Sequence, residues 1–343
     1  MHMADALISP AVGGTIWAAS AGLIAYCSKK VRNDVDDIKI PLMGVAGAFI
    51  FAAQMINFTI PGTGSSGHLG GAMILSILLG PYAAFLTMAS ILTVQALFFA
   101  DGGLLALGCN IFNLGFFPCF IAYPLIYKQI VGDKPTQNRI LLGAITASIL
   151  GLQIGAFGVV LETLFSGISE LPFGTFVLLM QPIHLAIGIV EGIVTASVVS
   201  FVWKSRPELL QKAPSASPAN RISYKYVLAG FLVAAVLTGG VLSWFASSNP
   251  DGLEWAVFHT TGTEELEAPG HNVYSLLAKV QEKTAFLPDY NFRTTKEVQA
   301  KEPEAVMDSG TTVSGLVGGA LVLVFAVFIG FALKKRSGTG SHI

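Results

Sequence analysis

The sequence predicts an all-α integral membrane protein of about nine transmembrane helices, a seven-helix module followed by a two-helix module that carries an external domain. Three observations lead there. Of 343 residues, 53% are hydrophobic and only 12% are charged, and the mean hydropathy is +0.66; a soluble domain carries about 25% charged residues. Nine apolar stretches lie near the roughly 20 residues that a helix needs to cross a bilayer. The basic residues gather in alternate connections between those stretches.

In chain order the spans are expected at about 11–28, 40–57, 70–80, 82–99, 104–127, 140–163, 174–203, 226–246 and 313–333. The third is short and stops at Gly80-Pro81, so it reads as a half-span or as a tight helical pair with the fourth. Residues 204–223 form a Pro-, Ser- and Ala-rich linker. It joins a membrane module over 1–203 to a second module over 224–333, whose two spans bracket an external domain at about 247–312. Residues 334–343 read as a tail. Cys109 and Cys119 share one expected helix, about 15 Å apart along its axis and out of disulfide reach. With Cys27 they read as small buried apolar residues.

Charge placement orients the chain. The connections 29–39, 128–139 and 204–225 and the tail 334–336 hold fifteen of the twenty Lys and Arg. The loops near 58–69, 100–103 and 164–173 hold none. The positive-inside bias therefore places the N-terminus outside a cell membrane and the C-terminus in the cytoplasm. A net charge of −1 offers no field for nucleic acid. No basic flank and apolar run open the chain, so no cleaved signal peptide is expected, and Met1 is expected to keep its amine.

That expectation gives Met1-His2 unusual chemistry. The Met1 amine, the His2 backbone nitrogen and the His2 Nδ1 can close two small chelate rings on one metal ion. Three nitrogens in a plane suit Cu(II) or Ni(II), and His68 is the candidate for a fourth. A frayed terminus is the plainer reading of the same residues. His68 lies in Pro61-Gly62-Thr63-Gly64-Ser65-Ser66-Gly67-His68-Leu69-Gly70-Gly71, where five glycines permit positive φ and close backbone approach. Ser65, Ser66 and nearby Asn57 can supply hydrogen bonds beside the metal. By itself the run also reads as a flexible external loop, and it has no Walker ending, so the chain cannot hydrolyse ATP by that route.

His184 and Glu191 lie seven residues apart on one face of the seventh expected span. Ionisable groups within a membrane are costly and point to function. They read as an interior hydrogen-bonded pair that locks two helices, or as support that orients a ligand. Asp101 and Glu162 read as cap or loop residues, and His259 and His271 as solvated histidines of the external domain. The amides Gln54, Asn57, Gln95, Asn110, Asn113 and Gln153 are numerous for apolar spans and can form a network around the N-terminal segment.

Taken together, Met1-His2-Met3-Ala4-Asp5-Ala6-Leu7-Ile8-Ser9-Pro10, the Ser66-Gly67-His68 run and His184-Leu185-Ala186-Ile187-Gly188-Ile189-Val190-Glu191-Gly192 resemble the NikM/CbiM family. These are the substrate-capture components of energy-coupling-factor (ECF) importers for Ni(II) and Co(II). Asn249-Pro250-Asp251-Gly252-Leu253-Glu254-Trp255 resembles the auxiliary NikN/CbiN-type module. The resemblance covers residues 1–333 and implies a fused protein whose N-terminus folds back into the helical core. It implies that Met1, His2 and His68 hold the metal, and that the two-helix module serves uptake. It also implies an ECF transmembrane coupling subunit and two ATPase subunits as partners.

The sequence reading is therefore a nickel-specific capture component of an ATP-driven importer, not an enzyme. It has no cofactor, and Ni(II) is its cargo. A Co(II)-specific component of the same class is the alternative, and Cu(II) also fits the donor set. A stand-alone secondary transporter would need more intramembrane carboxylates than Glu162 and Glu191. An intramembrane metalloenzyme lacks any His-Glu-x-x-His pattern.

Overall fold

The computed structural model describes residues 2–34, 38–169, 171–206, 223–263, 266–270, 273–293 and 309–334. Met1, His271 and most of the 204–223 linker lie outside the described residues. Among the described residues the regular structure is helical except for one short hairpin. In chain order the helices are α1 (Pro10–Asp34), α2 (Lys39–Gln54), α3 (Ala72–Leu79), α4 (Pro81–Val94), α5 (Leu107–Ile111), α6 (Lys128–Val131), α7 (Gln137–Ser166) and α8 (Phe173–Ser205). The second module follows with α9 (Tyr224–Gly240), α10 (Gly252–Thr261), α11 (Val273–Thr284) and α12 (Ser309–Leu333). Gln95–Phe99 extends α4, and Phe112–Tyr127 joins α5 to α6, both as π-helix. Pro118 and Pro124 lie inside the latter and cannot donate to a regular helical ladder.

Among the described residues, six helices are long and apolar enough to cross a membrane, and α2 and α9 are shorter apolar helices. The third expected span differs. It is the eight-residue α3, buried at every position and turned into α4 at Gly80-Pro81. At a rise of about 1.5 Å per residue it reaches roughly 12 Å, so it serves as an interior half-helix. The count of about nine is thus approximate.

Small residues set the helix packing, as membrane interfaces require. Along α7 and α8, a Cβ at Gly188 or Gly192 would meet Ile149 Cα at 2.9 Å or Ile145 Cα at 2.6 Å. The second module docks on the first through α12. A Cβ at Gly318 would enter the Phe51 ring of α2, and α9 and α12 approach backbone to backbone at Gly239 and Gly315.

The Gly-rich run 61–71 is not a loose loop. Strands β1 (Phe58–Ile60) and β2 (Ser65–Gly67) pair antiparallel with Thr59 opposite Ser66. Ser66 extends the pairing by donating its N–H to Pro250 O at 2.8 Å, and Ser66 and Asp251 form a parallel bridge. The run is ordered because its far edge is covered by the second module.

Candidate metal centre

The N-terminal arm runs inward. Met3 and Ile8 are fully buried, and Asp5–Leu7 forms a single 3-10 turn. Asn110 grips the Met3 peptide from both sides. Its Oδ1 accepts the Met3 N–H at 2.8 Å, and its Nδ2 donates to Met3 O at 3.2 Å. Gly103 N–H donates to the same carbonyl at 2.9 Å, and Asp5 Oδ1 accepts from Ala106 N–H at 2.9 Å. Gly102, at φ +81°, turns the chain tightly under the arm; a Cβ there would sit 2.8 Å from Asn110 Nδ2. The frayed-terminus reading does not hold for residues 2–8.

This clamp delivers His2 to His68. The two rings stack with centroids 5.0 Å apart and planes 6° from parallel. The His2 side chain is 6% exposed, and its Nδ1 lies 3.0 Å from Asp101 Oδ1. Sequence reasoning expected that nitrogen to face a metal. The structure instead pairs it with a carboxylate, leaving His2 Nε2 buried with no hydrogen-bond partner among the described residues. Tyr290 of the second module donates its hydroxyl to Asp101 Oδ2 at 2.5 Å. Burial opposes ionisation of Asp101, but the His2 imidazole and the Tyr290 hydroxyl outweigh it and hold the carboxyl at about 2. Asp101 is therefore a partner of His2, not only a loop residue.

His68 Nδ1 lies 3.1 Å from Leu69 O. A carbonyl only accepts, so this nitrogen carries the proton and Nε2 is the ring's lone-pair nitrogen. Burial pushes His68 down to about 3, so its imidazole is neutral near pH 7, the form in which it binds metal. The hairpin seats it closely: a Cβ at Gly67 would lie 2.4 Å from Ile187 Cγ1.

His184 and Glu191 are both buried on α8 but form no pair. His184 Nδ1 donates to Met180 O at 2.7 Å, and its Nε2 has no partner among the described residues. It lines a chamber of about 10 Å³ with His68 and Asp251, about the room for one water. Glu191 accepts the Gly70 and Gly71 N–H groups at 2.9 and 3.1 Å, fixing the chain just past His68. Of the other expected supports, Ser66 Oγ donates to Asn249 O at 2.7 Å, and Ser65 Oγ donates to Ser66 O at 3.2 Å. Asn57 accepts the Ser247 N–H through its carbonyl at 2.7 Å. The Ser66 and Asn57 bonds tie this segment to the second module, and the Ser65 bond stays within the hairpin. Glu162 is not a cap; it is buried and accepts from Asn113 Nδ2 at 2.7 Å. His259 stacks on Trp255 with centroids 4.1 Å apart.

Among the described residues, no group of three His, Cys, Asp or Glu side chains is arranged to hold a metal ion. A metal at His2 and His68 thus needs further donors, and backbone nitrogen is the chemistry at hand.

Comparison with known proteins agrees with this architecture. Residues 2–209 match the family model CbiM, described as a cobalt uptake substrate-specific transmembrane region. The chain belongs to the CbiM family. Residues 225–335 match the PDGLE domain. The chain is 31% identical to a putative fused nickel transport protein NikMN of Archaeoglobus fulgidus, over 99% of this chain and all of that one. It is 33% identical to a fused nickel transport protein NikMN of Rhodobacter capsulatus, over 69% of this chain and 71% of that one. A crystal structure of a transition metal transporter superposes with a TM-score of 0.53 at 31% identity, covering 60% of this chain and 93% of that one.

Within this CbiM-family chain, three residues at the centre escaped the sequence reading, Asp101 as the partner of His2, Asp251 and Tyr290, whereas Asn110 was expected in a network around the N-terminal segment and is found there. Asp251 carries one legible signal. It opens an Asp-x-x-Glu capping box whose side chain accepts from Leu253 and Glu254 N–H, with Glu254 reaching back to the Asp251 N–H. That pattern announces a helix start and says nothing of His68.

Proposed function

We propose that this protein is the metal-capture component of an ATP-driven importer of the energy-coupling-factor type, with Ni(II) as its substrate. The observation that carries the reading is the stacking of His2 on His68 beneath an N-terminal arm gripped by Asn110. The Met1 amine and the His2 backbone nitrogen would join the two imidazoles. Loading exchanges the His2–Asp101 hydrogen bond for a bond from Nδ1 to the metal, and Asp101 is left as a nearby charge. Four nitrogens in a plane suit a d⁸ ion, whereas Zn(II) favours tetrahedral sites. The amine and amide must each lose a proton, so affinity falls as the pH falls.

The captured ion enters from outside, where positive-inside bias puts the N-terminus. A transmembrane coupling subunit and two ATPase subunits supply the work of import. Co(II) is the second reading, favoured by the description of the CbiM family.

Metal analysis and visible absorption of protein with a native N-terminus test the proposal. A yellow, diamagnetic 1:1 nickel complex that outcompetes cobalt is the expected result. Acetylating the Met1 amine, or adding one residue before it, should weaken binding at least a hundredfold by breaking a chelate, beyond the 10–100-fold of outer-shell losses. Unchanged binding after acetylation removes the chelate from the reading.

A further inference from the structure

Besides the chamber that it shares with His184, His68 also lines a much larger space. This cavity, about 550 Å³, is walled by the N-terminal arm, the 100–103 turn and the PDGLE domain. Its lining includes Asp5, Asp101, Asp251, Glu254 and Asp289, together with His2 and His68, and among the described residues no Lys or Arg. The acids come from both modules. His2, whose buried Nε2 has no partner among the described residues, stands in its wall.

We infer that this cavity is an acidic vestibule that collects the hydrated divalent cation and delivers it to His2 and His68. The inference rests on the function proposed above and adds the form in which the metal arrives. Six waters at about 30 Å³ each make a first hydration shell of about 180 Å³, which the vestibule admits whole. The chamber beyond has room for about one water, so the shell is shed between the two spaces. A carboxylate-rich wall with apolar neighbours such as Leu253, Val257 and Leu266 focuses the field and speeds cation encounter. The same wall repels an anionic chelate of the metal. Charge of this kind acts on the association rate more than on the final affinity.

Stopped-flow absorbance of the full chain mixed with aqueous Ni(II) reads the association rate directly. Raising the salt from about 20 to about 500 mM, which shortens the screening length to a few ångströms, should slow association at least about threefold. Asp289→Lys should slow it further at low salt, and Asp289→Asn less, each with an unchanged dissociation rate. Asp289 has φ +50°, which Asn tolerates. Nickel presented as its anionic citrate complex should load only at the rate set by its free-ion fraction. Association indifferent to salt and to Asp289→Lys, or direct loading from the citrate complex, overturns the vestibule. The salt series on the parent protein needs no variant to fold. If equilibrium metal analysis shows no tight binding, the proposed function fails; if tight binding persists with an indifferent rate, only the vestibule does.

Discussion

Two short segments meet at the histidine pair and differ in how they are held. The N-terminal arm, residues 2–8, is anchored by its backbone: Asn110 and Gly103 saturate the Met3 peptide, and Met3 and Ile8 are sunk in the core. The PDGLE segment, residues 250–254, is anchored by its own capping box and by edge pairing with Ser66. The first fixes nitrogen donors, so it should govern how tightly a metal is held. The second contributes carboxylates and covers the hairpin, so it should govern how the metal arrives and how firmly the hairpin is framed.

Variants of the two segments can break that division. After the Met1 modification, the largest expected effect is that of His68→Ala, at least tenfold in nickel affinity, read by isothermal titration; an unchanged isotherm would move the fourth donor to another residue, with His184 the first to test. Asn110→Leu comes next. It strips two hydrogen bonds worth about 1 kcal/mol each and leaves the Met3 N–H buried without an acceptor, so affinity should fall about tenfold while helical circular dichroism persists. If Asn110→Leu slowed association without touching affinity, the arm would not be the part that sets tightness. Asp251→Ala removes an N-cap worth about 1 kcal/mol, which should appear as faster amide exchange in α10 with less than about a threefold change in nickel affinity. A tenfold loss there would make the PDGLE segment part of the holding site.

The smallest effect is in pH dependence. His68 is lowered by burial to about 3 from about 6.5 in an unfolded chain. Below pH 6.5 the unfolded chain takes a proton that the fold refuses. Stability from this group is therefore full above about 6.5 and is lost as the pH falls towards 3. Glu254 runs the other way. Burial raises it to about 7, with Asp251 adding to the rise, so its contribution is present below about 4.5 and is lost as the pH rises through about 7. Metal-free His68→Gln should show a shallower acid limb than the parent in thermal unfolding, and equal limbs would place the His68 ring in water.

Much of the molecule was legible one residue at a time. Apolar length gave the long helices, because each span must bury its own backbone polar groups. Legibility ended where the backbone met a partner far away. The run 61–71 read as a flexible loop because glycine marks conformational freedom, and pairing with Phe58–Ile60 on one side and the Pro250 carbonyl on the other make part of it a strand. Glu191 and His184 read as a pair because seven residues return to one helical face; the N–H groups of Gly70 and Gly71 claimed one and Met180 O the other.

The sequence by itself determined a helical membrane protein and the placement of its basic connections, because those follow from local composition. The tertiary structure decided that Asn110 grips the arm, that Asp101 and Tyr290 pair behind His2, and that five carboxylates face one cavity. Packing of α12 on α2 and of the PDGLE segment on β2 brings those residues together from across the chain. No periodicity records such contacts, because they are set by which surfaces the helices bury against one another.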